Sequence, residues 1–298
     1  MRSSTPLPIA VSQLTTLRWE LPEELCHCVE HGFDAISLWR PKLSDTGVAY
    51  ARELLQQAGV RVSSLQWAGG FTGSDGRTFE ESLADCQEAI ETAEQLACPV
   101  LTIYAGSRGG HTLSHARRLV RHALRELAPA AEAAGVTLAL KPIHHREVAG
   151  GGFMASLEEA VSLIEEVDEA GLGLALDLWS FADDPWLSSG MEQFLQHVRL
   201  VLVADRNGPL HEDQERLPPG AGNLPLKQQL ASLIDAGYQG DIEIDPVGER
   251  VMQTGYEETL VAIGRYAAGF KREGQHRISR QAASWSPLAA AGGQVSRP

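Results

Sequence analysis

Short apolar runs alternate with amphipathic segments along most of the 298-residue chain. Four amphipathic segments end at an Ala-Gly pair that leads into a second apolar run, with the glycines at Gly59, Gly135, Gly171 and Gly237. A glycine just beyond the last periodic residue is typical of a helix C-terminus. The glycines are spaced by one or two units of roughly 33 to 38 residues, which is the size of a strand followed by a helix.

The same pattern, continued along the chain, predicts eight strand–helix units. Strands are predicted to begin near Ile9, Phe33, Val60, Val100, Val136, Leu172, Leu200 and Ile242. Helices are predicted over 20–31, 48–58, 79–96, 112–134, 156–169, 190–197, 224–236 and 256–271. Pro129 is expected to kink or split the fourth helix.

Eight such units with mostly apolar strands favour an α/β fold, a single (β/α)8 TIM barrel, over an open sheet. No Gly-rich dinucleotide fingerprint follows the first strand, which also disfavours the open sheet. The barrel is predicted to occupy residues 1–272. The segment 273–298, which turns to Ala, Gly and Ser, is predicted to be a disordered tail outside the fold.

Polar residues stand where four of the predicted strands end. Lys141 closes the apolar run Val136–Leu140, and Asp177, Asp205 and Asp245 close three later runs. A cation at the end of a buried strand needs a partner or a chemical task. Because a barrel places its chemistry at the C-terminal ends of its strands, we expect these four side chains to meet at one rim.

The overall charge is acidic, with a formal net charge of −14, so the basic footprint of a nucleic-acid binder is missing. No run of about 18 apolar residues is present, so no membrane partner is expected. The four cysteines fit a reduced cytosol, and we expect a cytoplasmic protein. Cys26-His27-Cys28 falls in a helical pattern where residues two apart point in different directions, which argues against a metal site there.

Several stretches resemble one known superfamily when they are taken together. They are Ile36-Ser37-Leu38-Trp39-Arg40, Ser63-Ser64-Leu65, Ala68-Gly69-Gly70-Phe71, Leu138-Ala139-Leu140-Lys141-Pro142-Ile143-His144, Leu174-Ala175-Leu176-Asp177, Arg216 with Gly220-Ala221-Gly222, and Gly237-Tyr238-Gln239-Gly240 ahead of Ile242-Glu243-Ile244-Asp245. In order and spacing they resemble the xylose-isomerase-like TIM-barrel superfamily of sugar and sugar-phosphate isomerases and epimerases. The resemblance covers roughly residues 9–270.

The resemblance implies a divalent-cation site that this chain has altered. The family's four ligand positions correspond here to Lys141, Asp177, Leu202 and Asp245, of which only Asp177 is unchanged. Asp245 is one methylene shorter than the family glutamate, Leu202 has no donor atom, and Lys141 carries a positive charge. Ser180 stands in place of a family histidine. We therefore expect no metal and no cofactor.

Lys141 has three interpretations. It neutralises Asp177 and Asp245 in a structural salt-bridge cluster that fills the former metal site. Alternatively, it stabilises an enolate or polarises a carbonyl, with Asp177 or Asp245 as the proton carrier. A Schiff-base lysine is the third, although two adjacent carboxylates would raise the pKa of Lys141 rather than lower it as that chemistry requires.

Further residues are candidates for substrate contact at the same rim. His144 matches a histidine of the family's fifth-strand motif, and Arg216 matches a family arginine that reaches the substrate, with a guanidinium suited to phosphate or carboxylate. Trp39 and Trp67 are candidates for an aromatic wall against a sugar ring. His111, in a glycine-flexed basic loop, is a weaker candidate, and Asp205 joins the set through its position at a strand end.

Three classes of function follow. The first is a metal-independent isomerase, epimerase or dehydratase-like lyase acting on a small sugar, keto-polyol or related acid. The second is a degenerate barrel that binds a sugar-like ligand or acts as a partner subunit, because three family ligands have changed. The third, an abasic-site endonuclease, is disfavoured by the acidic charge and the altered ligands. A small polyol or sugar-like molecule is the expected partner. The sequence does not decide between a monomer and a homo-oligomer.

Overall fold

Eight parallel strands close into a barrel in the computed structural model, which describes residues 8–147 and 153–269. The strands are β1 (Ile9–Ser12), β2 (Ala35–Trp39), β3 (Arg61–Gly69), β4 (Val100–Tyr104), β5 (Thr137–Lys141), β6 (Leu172–Asp177), β7 (Val198–Val203) and β8 (Asp241–Ile244). Each strand pairs with the next in sequence, and β8 pairs with β1 through Ile242 beside Ile9. The predicted single (β/α)8 barrel is confirmed.

Helices cover the outside of the barrel. They are α1 (Leu21–Glu30), α2 (Arg40–Thr46), α3 (Val48–Ala58), α4 (Phe79–Gln95), α5 (Leu113–Ala133), α6 (Leu157–Val167), α7 (Leu178–Phe181), α8 (Pro185–Ser189), α9 (Met191–Phe194), α10 (Leu226–Asp235), α11 (Glu249–Thr254) and α12 (Tyr256–Ala268), with a 3-10 turn at Leu195–His197. The short helices α2, α7 and α11 were not predicted, because they are too short to show a helical period.

The predicted helix ends are right at three of the four glycines. Gly59, Gly135 and Gly237 adopt positive φ angles of 67°, 70° and 105°. At the fourth end the prediction is wrong, because Asp168 takes the left-handed position with a φ of 56°. Gly171 instead lies against α5, where a Cβ atom would come within 2.5 Å of the Ala128 carbonyl oxygen.

Pro129 does not break α5, which runs continuously from Leu113 to Ala133. The predicted split of the helix is therefore wrong, and the kink stays a prediction. The predicted tail at 273–298 and the end of the last predicted helix lie outside the described residues, as do residues 1–7 of the predicted domain.

Apolar side chains fill both the space between barrel and helices and the lower part of the barrel itself. Inside the barrel, a cluster of buried small and branched residues comprises Val100, Ala139, Ala175, Leu200 and Leu202. Polar side chains replace them toward the C-terminal ends of the strands, where Lys141, Asp177 and Asp245 are buried. Within the described residues, no helix combines the length and apolar character needed to cross a membrane.

Candidate functional site

The C-terminal rim of the barrel brings together three of the four predicted strand-end residues. Lys141 is the last residue of β5, Asp177 is the last residue of β6, and Asp245 directly follows β8. Their exposed fractions are only 6%, 0% and 3%. Charged groups buried to this degree need partners, because desolvation costs roughly several kcal/mol for each unpaired ion.

Arg216 lies at the centre of this group and contacts both carboxylates. Its Nη1 and Nη2 atoms donate to the two oxygens of Asp177 at 2.9 and 3.0 Å. Its Nη2 atom also lies 2.7 and 2.8 Å from the two oxygens of Asp245. The guanidinium is stacked 4.7 Å above the ring of Trp179. Arg216 thus lies between the two carboxylates that the resemblance assigns to metal binding.

The loop after β7 fixes the position of Arg216. The Arg216 amide donates to the Val247 carbonyl at 3.1 Å, and the Val247 amide donates back at 2.9 Å. The neighbouring residue, Leu217, exchanges backbone hydrogen bonds with Asp205 in the same way. Two short backbone bridges therefore aim the side chain inward.

Lys141 is the second cation of the cluster. Its Nζ atom lies 2.8 Å from Oδ2 of Asp177. The same ammonium lies 5.5 Å from the ring centroid of Tyr104, the residue that pairs with Lys141 on β4. Asp177 also caps α7, since its Oδ1 accepts the Trp179 amide at 3.0 Å. Asp177 is thereby held by two cations and one backbone donor. We call Lys141, Asp177, Arg216 and Asp245 the rim cluster.

The two carboxylates of the rim cluster have different proton affinities. Burial raises the pKa of Asp177, but the charges of Arg216 and Lys141 outweigh burial and leave that pKa below its usual range. Burial raises the pKa of Asp245 to about 6, because Arg216 offsets it only in part and the negative charge of Asp177 adds to it. Lys141 keeps its proton, since Asp177 raises its pKa against the lowering by burial. A depressed lysine pKa, which a Schiff base would need, is absent.

A further carboxylate, which the sequence analysis did not select, lies deeper in the barrel. Glu243 is fully buried, and its oxygens accept hydrogen bonds from Ser63 Oγ at 2.8 Å and Gln66 Nε2 at 2.9 Å. Burial raises its pKa to about 7 against these hydrogen bonds. The alternation Asp241-Ile242-Glu243-Ile244-Asp245 could have revealed Glu243. Every second residue of a strand faces the same side, so Glu243 is expected on the same side as Asp245.

Asp205 anchors the loop that carries Arg216, and its predicted substrate contact stays a prediction. Its carboxylate is 2% exposed and accepts three backbone amides, from Arg206 at 2.8 Å, Gly220 at 2.9 Å and Leu224 at 3.0 Å. These bonds satisfy the charge and fasten the loop that carries Arg216. The sequence could not show this, because the donors belong to irregular backbone.

The two predicted histidines lie at different parts of the rim. His144 is partly buried, its Nδ1 accepts the Arg146 amide at 3.1 Å, and its ring meets Phe181 edge-on at 5.6 Å. Burial, followed by the charges of His145 and Arg146, lowers its pKa, so it is a neutral ring near pH 7. His111 is bound to the neighbouring loop, with its Nε2 3.1 Å from the Thr72 carbonyl.

An aromatic cleft of about 770 Å³ opens beside the rim cluster. Trp39, Trp67 and Tyr104 line it, with ring centroids 6.5 Å apart for the first pair and 5.3 Å for the second. Trp67 is 41% exposed, an unusual value for so large an apolar ring. Tyr104, which the sequence analysis missed, connects the cleft to Lys141. The cleft lies to one side of the charges rather than above them.

Another feature missed by the sequence analysis is a hydrogen bond between Ser180 and Glu147. The Ser180 hydroxyl donates to Oε2 of Glu147 at 2.8 Å. Ser180 lies on α7, three residues after the capping residue Asp177. Glu147, in the loop after β5, is only partly buried. The bond therefore holds a carboxylate at the mouth of the barrel.

The residues at the implied metal position do not fit a divalent cation. Leu202 pairs with Asp177 across β6 and β7 and offers no donor atom. Lys141 and Arg216 place two positive charges against the remaining carboxylates. Among residues 8–147 and 153–269, no group of three or more His, Cys, Asp or Glu side chains is placed to hold a metal ion.

Comparison with known proteins extends the fold assignment to a family. A family model described as a xylose isomerase-like TIM barrel matches residues 26–262. A putative hydroxypyruvate isomerase of Streptomyces coelicolor is 28% identical over 78% of this chain and 88% of its own. An inosose isomerase of Halalkalibacterium halodurans is 24% identical over 85% of this chain and 93% of its own. The solved structure of the IOLI protein with a bound zinc atom has a TM-score of 0.77, 20% identity, and coverage of 89% of this chain and 98% of its own.

Proposed function

Since the chain belongs to the xylose isomerase-like TIM-barrel family, we propose that it is an isomerase- or epimerase-type enzyme that transfers a proton on a small substrate without a metal ion. The substrate class is a small sugar, keto-polyol or related acid. The names of the relatives, a hydroxypyruvate isomerase and an inosose isomerase, support this class of reaction and substrate.

The rim cluster is the observation that carries this proposal. Its two cations are its most exposed members, with side chains 11% exposed for Arg216 and 7% for Lys141, against 0% for Asp177. A ligand oxygen entering from the rim therefore meets positive charge first. Proton abstraction next to a carbonyl places negative charge on that oxygen. A fixed cation in a dry site stabilises such charge by about 3 to 4 kcal/mol, the scale measured for one preorganised donor.

Lys141 and Arg216 thus supply the charge stabilisation that the family resemblance assigns to a metal. Asp177 is a poor proton acceptor, because two cations keep its pKa low. Asp245, with a pKa of about 6, changes its protonation state close to neutral pH. We assign to Asp245 the transfer of a proton between substrate oxygens, and to the aromatic cleft the apolar face of the substrate.

Solvent exchange offers a direct test. The protein is dialysed against EDTA and incubated in D2O with hydroxypyruvate, an inosose or D-fructose, and deuterium entering the carbon next to the carbonyl is followed by proton NMR. We expect exchange that survives the chelator and falls about a hundredfold or more in Lys141→Met. Arg52→Met, on the exposed face of α3, is the matched control and keeps the wild-type rate. Exchange that vanishes with EDTA and returns with manganese contradicts the proposal.

A second function, ligand binding without turnover, is favoured by the pairing of all charged groups within the rim cluster. Each of its four charged groups already contacts an oppositely charged partner within 3.0 Å. Such a cluster stabilises the fold whether or not catalysis occurs. The two functions separate cleanly in the same experiment, because a binding protein broadens the ligand NMR signals without incorporating deuterium.

A further inference from the structure

Proton abstraction from carbon needs a carboxylate that is free to accept the proton. Within the rim cluster, Asp177 and Asp245 both accept hydrogen bonds from Arg216, and Asp177 also contacts Lys141. Both oxygens of each carboxylate thus already accept a hydrogen bond from a cation. The cluster therefore supplies charge stabilisation, but none of its carboxylate oxygens is free of a cation to accept a carbon-bound proton.

Glu147 differs from both of these carboxylates in its partners. In the part of the chain that the structure describes, no lysine or arginine forms an ion pair with it, and its side chain accepts a hydrogen bond from the neutral Ser180 hydroxyl. It is also more exposed than the cluster carboxylates, so a ligand at the rim can reach it.

One contact and one electrostatic effect place Glu147 beside the cluster. Ser180 stands three residues after Asp177, on the helix that Asp177 caps, so the bond to Ser180 fixes Glu147 near that carboxylate. Although burial and closer charges have larger effects, the negative charge of Glu147 also raises the pKa values of Lys141 and Tyr104. Glu147 therefore lies within electrostatic reach of the ammonium that would hold the substrate oxygen.

We infer that Glu147 is the catalytic base that accepts the carbon-bound proton of the substrate, with Ser180 as its positioning residue. This inference rests on the proposed function. The carbon–hydrogen bond next to the carbonyl breaks, and its proton forms a bond to a Glu147 oxygen. The electron pair forms the carbon–carbon double bond of an enediolate, and the carbonyl pair moves onto oxygen beside Lys141.

The second half of the reaction restores all groups. Asp245 passes the hydroxyl proton from one substrate oxygen to the other, and Glu147 returns its proton to the former carbonyl carbon. The carbonyl group has then moved by one carbon, and no oxidant, reductant or other reactant is consumed. This sequence is an isomerisation of a hydroxy-carbonyl compound, which narrows the reaction class.

The test compares Glu147→Gln with Glu212→Gln, an exposed loop glutamate, in the D2O exchange assay with hydroxypyruvate, an inosose or D-fructose. We expect the exchange rate to fall by about a hundredfold or more in Glu147→Gln and to stay unchanged in the control, as for removal of a general base. The dissociation constant of the same compound, measured by calorimetry, should change less than about threefold, because the amide keeps the shape of the side chain. Thermal unfolding checks that both variants fold.

Chemical rescue and a second variant keep the test informative if Glu147→Gln is unstable. Sodium formate should restore exchange in Glu147→Ala, because a free carboxylate can occupy the vacated position, whereas a purely structural loss is not rescued. Ser180→Ala should lower exchange by about tenfold without abolishing it. Wild-type exchange that persists in Glu147→Gln overturns the assignment of Glu147 while the proposed function stands. Absence of exchange in the wild-type protein overturns both.

Discussion

Removal of Arg216 tests which cation holds the rim cluster together. Arg216→Met keeps much of the side-chain volume but deletes the contacts to Asp177 and Asp245 at 2.7 to 3.0 Å. Asp177 retains Lys141, whereas Asp245 loses the cation that forms its hydrogen bonds. Breaking a buried ion pair costs about 3 to 5 kcal/mol, so we expect the free energy of unfolding to fall by about that amount at pH 8.

The loss should depend on pH. Without Arg216 the pKa of Asp245 rises above its present value of about 6, so the carboxyl becomes neutral in mildly acidic solution. A group whose folded pKa is raised contributes stability at low pH and loses it as the pH rises through that pKa. The deficit of Arg216→Met is therefore smaller at pH 5 than at pH 8. In the double variant Arg216→Met/Asp245→Asn, the buried charge is gone and most of the deficit at pH 8 should disappear.

The stability of Lys141→Met, compared with that of Arg216→Met, tests whether Arg216 is the central cation of the rim cluster. Lys141 makes one ion pair, and Asp177 keeps both guanidinium contacts without it, so we expect a loss of about 2 kcal/mol, the scale of one charged hydrogen bond. Arg52→Met on exposed α3 should stay within about 0.5 kcal/mol of wild type. Urea unfolding followed by circular dichroism measures all four variants. A larger loss in Lys141→Met than in Arg216→Met would refute the central role of Arg216.

Three further changes have defined outcomes. Glu243→Gln should be more stable than wild type at pH 8 by about 3 kcal/mol and similar at pH 4.5, since burial raises the pKa of Glu243 from 4.5 to about 7 and wild-type stability falls as the pH rises through this interval; urea midpoints at both pH values measure it. Asp205→Ala should lose about 3 kcal/mol and expose the Gly220 amide to hydrogen exchange, because its carboxylate no longer accepts backbone donors. Lys141→Glu/Leu202→His rebuilds the family ligand set and should bind manganese in titration calorimetry, whereas affinity weaker than millimolar would show that the mapping of these positions is wrong.

The barrel and the residues at its strand ends were predictable because regular structure has a period. Lys141 and Asp177 end apolar runs, and parallel strands bring such ends to one rim. Glu243 obeys the same rule, through its alternation with Asp245, and was overlooked rather than hidden. Arg216 was predicted as a rim residue, but its place between the carboxylates depends on loop backbone, which has no period to detect.

The lack of a period in loop backbone also explains why the environments of Asp205 and Glu147 were not predicted. Both stand near strand ends, yet the structure gives them opposite environments. Backbone amides donate hydrogen bonds to both oxygens of Asp205, whereas Glu147 accepts a hydrogen bond from the Ser180 hydroxyl. These partners come from loops and a single-turn helix, so neither composition nor spacing distinguishes a buried anchor from an accessible carboxylate. Only the three-dimensional donor set separates them.

The charge balance of the rim cluster explains why its substitutions depend on one another. Two cations face two carboxylates, so the cluster is neutral when all four groups are ionised. A glutamate at position 141 alone would set three carboxylates against Arg216, and a methionine at position 216 would leave Asp245 unpaired. Either single change costs the desolvation of an uncompensated charge. The altered site therefore offers two cations to a developing oxygen charge, and the proposed acceptor of the carbon-bound proton, Glu147, lies outside the cation contacts.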